Sequence, residues 1–254
     1  MNSILKEKLK KKQRVIGSWV TIGHPTVAEL MAKAGFDWLA IDMEHSPLTI
    51  GQCQELIRTI DLCGVPVLVR VGANDPLIIK RVMDAGAHGV IVPMINSAKE
   101  ARAAVASVHY PPKGNRGVGL ARAQGYGQEF DAYKRWAING PVVVVQIEHI
   151  DAVNNIDAIL EVEGIDAIMI GPYDLSGSLG KPGQLNDKKV LQAMHKVKRA
   201  AEAKGMPSGV HVVSSDEKLL AAKFKEGYKF VAYGVDFLFI QENCLKGLRA
   251  VKKK

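Results

Sequence analysis

The residues with the most chemistry in them stand at the ends of apolar runs. "VVVVQIEHI" (142–150) carries four valines, then Gln146 and Glu148, two residues apart and so on one face of an extended strand. "LAIDMEH" (39–45) ends in Asp42, Glu44 and His45, and "VPVLVR" (65–70) ends in Arg70. "AIMIGPYD" (167–174) runs through Gly171, Pro172 and Tyr173 to Asp174. Two carboxylates on neighbouring strand ends, Glu148 and Asp174, repel unless one takes up a proton or a cation sits between them. A few oxygen ligands suit an octahedral Mg²⁺ or Mn²⁺ that keeps water or substrate in its other positions. Spacing alone leaves a helix cap or an arginine partner open for the same carboxylates. Arg70 offers a bidentate donor for a carboxylate or a developing oxyanion, or else a salt bridge to Asp42 or Glu44. His45 is a candidate general acid or base with Asp42 available to orient it. A structural histidine is the plainer reading of the same residue.

Such groups act together only if a scaffold carries them to one place, and the rest of the chain is periodic. Eight β-rich apolar runs cover residues 14–20, 37–43, 65–71, 88–94, 142–148, 165–171, 208–214 and 229–235, most starting about 23 residues after the last. Amphipathic stretches such as "TVAELMAKAG" and "PLIIKRVMDAG" fill the intervals, and several close on Gly, as helix C-termini do. Near-continuous apolar strands alternating with helices predict a parallel sheet covered on both faces. Eight units in 254 residues predict one (β/α)₈ TIM barrel, a single α/β domain over 1–254, with a basic N-terminal segment at 1–13 and a basic tail at 252–254. A doubly wound sheet would want a glycine-rich first turn, whereas "GNRGVGLARAQGYG" (114–127) lies in a long connection. In a barrel all strand C-termini share one mouth, so Asp42, His45, Arg70, Gln146, Glu148 and Asp174 are expected to converge there. Two long segments, 110–128 and 172–186, are expected to follow strand ends and to form working loops at that mouth. His149 is expected to turn away from it by strand alternation, His211 to lie mid-strand, and His24 at most to line a pocket.

Composition removes several function classes. The chain is 47% hydrophobic and 24% charged, and no apolar run reaches the roughly 20 residues of a membrane span. "MNSILKEKLKKKQR" lacks the apolar stretch of a signal peptide, and Cys53, Cys63 and Cys244 fit neither a disulfide framework nor a zinc pattern. A cytoplasmic protein with no membrane partner is expected. The net charge of +8 resides in residues 1–14 and in the last three lysines, which leaves the body neutral. That distribution predicts solvated basic ends rather than a nucleic-acid-binding face. No predicted strand carries an internal lysine for Schiff-base chemistry, and GxSxG, CxxC and HExxH are absent.

"GFDWLAIDMEHSPLT" (35–49), "VRVGANDPLIIKRVMDAGAHGVIVPM" (69–94), "RGVGLARAQGYG" (116–127), "VQIEHIDAVNNIDAILEVEGIDAIMIGPYDLSGSLG" (145–180) and "FVAYGVDF" (230–237) together resemble the HpcH/HpaI aldolase family over almost the whole chain. The resemblance implies a class II pyruvate aldolase. Such an enzyme reversibly cleaves a 4-hydroxy-2-oxo acid, a 2-keto-3-deoxy sugar acid or dioate, to pyruvate and an aldehyde through a metal-bound enolate. It implies Glu148 and Asp174 as ligands of Mg²⁺ or Mn²⁺, with Co²⁺ also admissible, and no organic cofactor. It further implies His45 as acid/base, oriented by Asp42 and Asp84, and Arg70 on the keto oxygen of the donor. Gln146 and the stretch Gly171, Pro172, Tyr173 and Asp174 would form the pocket for the pyruvate end. A homohexamer built as a trimer of dimers is implied too, with the C-terminal helix "DFLFIQENCLKGLRAV" exchanged between neighbours. Met43, Leu48 and Tyr173 depart from what many relatives carry around the mouth, which leaves the acceptor aldehyde open. Arg122 is open as well, between an acceptor carboxylate, a partner subunit and plain surface. Two alternatives stand beside this reading. A CoA-thioester lyase of the citrate-lyase or malyl-CoA type would want a basic cradle that the neutral body lacks. A non-catalytic sugar-acid binder would not need an acid/base beside its cation.

Overall fold

The computed structural model describes residues 1–252, so Lys253 and Lys254 of the basic tail lie outside the described residues. Eight parallel strands close into a barrel in chain order: β1 (Val15–Val20), β2 (Trp38–Asp42), β3 (Val67–Arg70), β4 (Gly89–Val92), β5 (Val142–Ile147), β6 (Ala167–Ile170), β7 (Ser208–Val212) and β8 (Phe230–Val235). Each falls inside the apolar run that announced it, because residues buried on both faces leave a continuous hydrophobic signature. The helices start where capping side chains satisfy their first N–H groups. Thr49 and Gln52 form a capping box before Ile50–Leu62, and Asp75 caps Pro76–Asp84 with proline in its first turn. Among the described residues no helix is long and apolar enough to cross a membrane.

Two apolar clusters follow from strand alternation. Outward residues such as Ile41, Val69, Val145 and Ile170 pack under the helices. Inward residues, among them Trp38, Leu68, Val144, Ala167 and Phe230, fill the barrel itself. Trp38 stacks on Phe230 with ring centroids 4.3 Å apart, and it occupies the space that Gly17 leaves, since a Cβ there would fall inside the indole. The barrel interior is thus a packed core.

Two sequence expectations are corrected here. Residues 1–14 are not a solvated tail: Ile4–Lys10 is helical, and Leu5 and Leu9, one turn apart, are buried in the inner cluster. Lys6 on the same turn reaches the Pro141 carbonyl at 2.6 Å and Asp166 at 2.9 Å, both at strand starts, so this helix closes the floor. The segment 110–128 does not follow a strand end either. β4 is followed by the helix Ala98–Val108, capped by Ser97, and the segment leaves the far end of that helix. Arg122 accordingly sits by the ends of two other helices, bonded to Asp61 at 2.6 Å and to the Ala85 carbonyl at 3.2 Å. The segment 172–186 does follow β6 and opens with the helix Pro172–Ser178.

Candidate active site

At the strand C-termini lies a cavity of about 280 Å³. His45, Arg70, Gln146, Gly171, Pro172, Tyr173 and Asp174 all line it. Asp42 and Glu148 stand directly behind these, 3% and 1% exposed.

Arg70 ends β3 and pairs in register with Asp42, the last residue of β2. Its Nε and Nη2 donate to the two Asp42 oxygens at 2.9 and 2.7 Å, a bidentate clamp, and Nη1 lies 3.3 Å from Glu44 Oε2. The guanidinium rests on the Trp19 ring, 4.4 Å from its centroid. Burial alone would raise the Asp42 pKa, but Arg70 and the N–H groups of Glu44 and His45 outweigh it and hold the carboxyl below its ordinary value. Asp42 therefore orients Arg70 and the backbone of the turn. It is the His45 backbone N–H, at 3.2 Å, that it binds. The His45 imidazole is 60% exposed at the rim, with Glu44 3.8 Å away.

Glu148 follows β5. One oxygen accepts from the Met94 N–H at 2.7 Å and the other from the Gln146 amide. Met94 is held at φ 53°, a left-handed conformation rare for a residue with a side chain. Gly171 lets the backbone after β6 close over this carboxylate, since a Cβ there would lie 2.5 Å from Glu148 Oε2. Asp174, in the first turn of Pro172–Ser178, is exposed. Burial drives the Glu148 pKa up against its two N–H donors, and the charge of Asp174 adds to the rise. Glu44 goes up to about 7, through burial first and then through the charges of Glu148, Asp42 and Asp174, with Arg70 opposing.

A divalent cation fits this donor set. Glu148 and Asp174 offer oxygens from adjacent strand ends, and among the described residues neither forms a salt bridge. Among the described residues the buried Gln146 Oε1 has no hydrogen-bond partner, whereas Glu44 Oε2 is paired with Arg70 Nη1. Among the described residues no group of three or more His, Cys, Asp or Glu could hold a metal by itself. A cation here would keep most positions for water and substrate, the arrangement expected of Mg²⁺ or Mn²⁺.

One site residue of the sequence reading is not brought to the mouth within the chain. Asp84 is the last residue of Pro76–Asp84, a helix that begins at the mouth and ends away from it. It lies 4.0 Å from the buried Arg116, and burial raises its pKa. It cannot orient His45 of its own barrel. Two other histidines are helix caps, His24 for Thr26 and His149 for Asp151. Conversely, Trp19, Met169 and His211 line the cavity without having been singled out. The signal was available: Gly17 and Trp19, like Gly209 and His211, alternate on one face of their strands.

A closed barrel whose mouth gathers carboxylates, a clamped arginine and a free histidine defines a TIM-barrel enzyme that acts on small anionic oxygen ligands. The family model for HpcH/HpaI aldolase/citrate lyase matches residues 15–241, and the chain belongs to that family. It is 39% identical over 241 residues to a hydroxypyruvate/pyruvate aldolase of Sagittula stellata, covering 94% of each chain. It is 39% identical to a 4-hydroxy-2-oxo-heptane-1,7-dioate aldolase of Salmonella dublin, over 93% of this chain and 89% of the relative. Among solved structures it is similar to a HpcH/HpaI aldolase/citrate lyase family protein from Burkholderia cenocepacia. The TM-score is 0.93 at 31% identity, over 99% of this chain and 100% of that one.

Proposed function

We propose that this chain is a divalent-metal-dependent aldolase, reversibly cleaving a 4-hydroxy-2-oxo acid to pyruvate and an aldehyde. The observation that carries the reading is the uncompensated carboxylate pair Glu148 and Asp174 beside a pre-clamped arginine. Glu148 and Asp174 would hold the cation, Mg²⁺ or Mn²⁺. When bound it supplies positive charge to the carboxylate and keto oxygens of a 2-oxo acid, as is general in this family. Arg70 gives a second cationic donor to the keto oxygen, and because Asp42 and Trp19 already fix its plane, no reorganisation is needed during reaction. Gln146 and the Gly171–Asp174 turn enclose the carboxylate end. His45 stands at the rim, where it takes the proton of the 4-hydroxyl as the bond between carbons 3 and 4 breaks. The electron pair stays with the 2-oxo acid fragment, whose carbon 3 then takes up a proton to give pyruvate. In the reverse direction His45 returns its proton to the new alkoxide. Tyr173, 53% exposed, faces the acceptor side of the same opening.

The assembly we propose is a homohexamer in the cytoplasm. Phe237, Ile240, Leu248 and Val251 on the C-terminal helix Asp236–Val251 are exposed, and an apolar row of that kind supports burial against a neighbouring subunit. Pyruvate release from a panel of 4-hydroxy-2-oxo acids, with Mg²⁺ or Mn²⁺ and then with excess EDTA, tests the activity. Release that stops with chelator and returns with metal is expected. No release from any member would overturn the reading in favour of the thioester lyase or the binder.

A further inference from the structure

The cavity contains one polar side chain that the proposed reaction leaves unused, His211 on β7. We propose that this imidazole selects a donor with a hydroxyl group on carbon 3, a 3-hydroxy-2-oxo acid, whose hydroxyl donates to His211 Nδ1. The proposal rests on the aldolase reading and names the donor that the same site takes.

β7 points Gly209 and His211 into the barrel. Gly209 has no room for a side chain, since a Cβ there would strike the Phe230 carbonyl, so His211 is the inward group that β7 presents at cavity level. Its Nε2 lies 2.9 Å from the Gly234 carbonyl. A carbonyl only accepts, so Nε2 carries the proton and Nδ1 is left as a bare acceptor. Gly234 has φ 60°, and the β1–β8 register shifts close by, between Gly17 and Trp19. The backbone of β8 thus leaves regular strand geometry at the residue whose carbonyl fixes the ring. Among the described residues Nδ1 has no protein partner, and it is not sealed from solvent, so it opens to the cavity.

Its surroundings make that acceptor selective. The ring packs edge-on against Trp19 with centroids 5.8 Å apart, and Trp19 in turn carries Arg70. Met169 lines the same cavity, so one side of the acceptor is apolar. With Arg70 on the keto oxygen at carbon 2, as proposed above, Trp19 bridges from the guanidinium to His211, and a hydroxyl on the adjacent carbon 3 would reach the ring. An acceptor desolvated by a methyl group loses its water for nothing, whereas a hydroxyl replaces that water. Burial among these groups, with the Gly234 carbonyl pulling the other way, brings the imidazole pKa down to about 4. The ring stays neutral and accepting at physiological pH.

The test is aldol addition to one common aldehyde, with saturating Mn²⁺, using hydroxypyruvate and pyruvate as rival donors. Wild type is expected to use hydroxypyruvate, and His211→Leu to lower kcat/KM for hydroxypyruvate about tenfold or more while pyruvate changes less than about threefold. His211→Phe keeps an aromatic ring against Trp19 without the acceptor and carries the same expectation, should the leucine variant not fold. Parallel losses for both donors would make His211 merely structural and overturn the proposal. So would a wild type that turns over pyruvate and refuses hydroxypyruvate. A wild type that uses neither donor overturns the aldolase reading itself, and this proposal with it.

Discussion

At the floor of the barrel Lys6 meets Asp166 at 2.9 Å, the Pro141 carbonyl takes a second ammonium proton, and the Val143 N–H caps the same carboxylate. At the mouth Arg70 pairs with Asp42 and Glu44, while Glu148 and Asp174 add two carboxylates that have no salt-bridge partner among the described residues. Both ends bury charge behind the same eight strands. The floor pairs its ions within the chain and is sealed by Leu5 and Leu9, while the mouth leaves carboxylates in surplus around open space. Buried charge left without a partner is costly. A fold that neutralises one end and not the other has reserved the second for ligands that bring positive charge and hydrogen-bond donors.

Removing the surplus is the sharpest way to break this contrast. Glu148→Gln and Asp174→Asn are expected to lower kcat/KM for 4-hydroxy-2-oxo acid cleavage by about 10³-fold or more, the several kcal/mol that a lost cation represents. The same variants should melt no lower than wild type in metal-free buffer, because they discard repulsion. Kinetics with saturating Mn²⁺ and circular-dichroism melts in EDTA check both halves. A melt that collapses in either variant would make the carboxylate a structural group and erase the difference between the two ends.

The floor should respond in the opposite sense. Leu9→Ala leaves a cavity in the inner cluster and is expected to cost about 2–5 kcal/mol of stability, with kcat for the folded enzyme unchanged. Denaturant titration and steady-state kinetics measure the two quantities. A kcat that falls with stability would mean that the floor helix governs the mouth.

How much of this was legible in sequence depends on which residues strand periodicity governs. The eight strands and the groups at their ends were readable, because alternation fixes what faces inward and chain direction fixes which end is the mouth. Asp84 was not, since a helix-borne carboxylate has no such rule and only the helix bounds show that it stands at the end away from the mouth. The segment 110–128 was misplaced because the long interval between the fourth and fifth strands holds a complete helix, started by Ser97 and Glu100, before the segment begins. Leu5 and Leu9 were hidden by the lysines around them, which dominate any count of charge but not the helical face. His211 lies within β7 as expected, and its alternation with Gly209 places it in the cavity.

Glu44 gives the finest probe of the surplus, since it touches the mouth without holding the cation. Burial and the neighbouring carboxylates raise its pKa from 4.5 to about 7 in the folded chain. The folded state therefore binds the proton more tightly than the unfolded state between those values, and stability from this group falls as pH rises across that window. Above pH 7 the full penalty is present, an upper bound of about 3 kcal/mol that partial solvent access reduces to roughly 1–2. Glu44→Gln removes the titration, so the variant should melt higher than wild type at pH 8 without metal, and the advantage should fade toward pH 4.5. Added Mn²⁺ should shrink the advantage at pH 8 by offsetting the charges of Glu148 and Asp174, part of what raises the Glu44 pKa. An advantage that is independent of pH and of metal would mean that Glu44 is merely ill-packed and that the mouth carries no electrostatic surplus for a ligand to relieve.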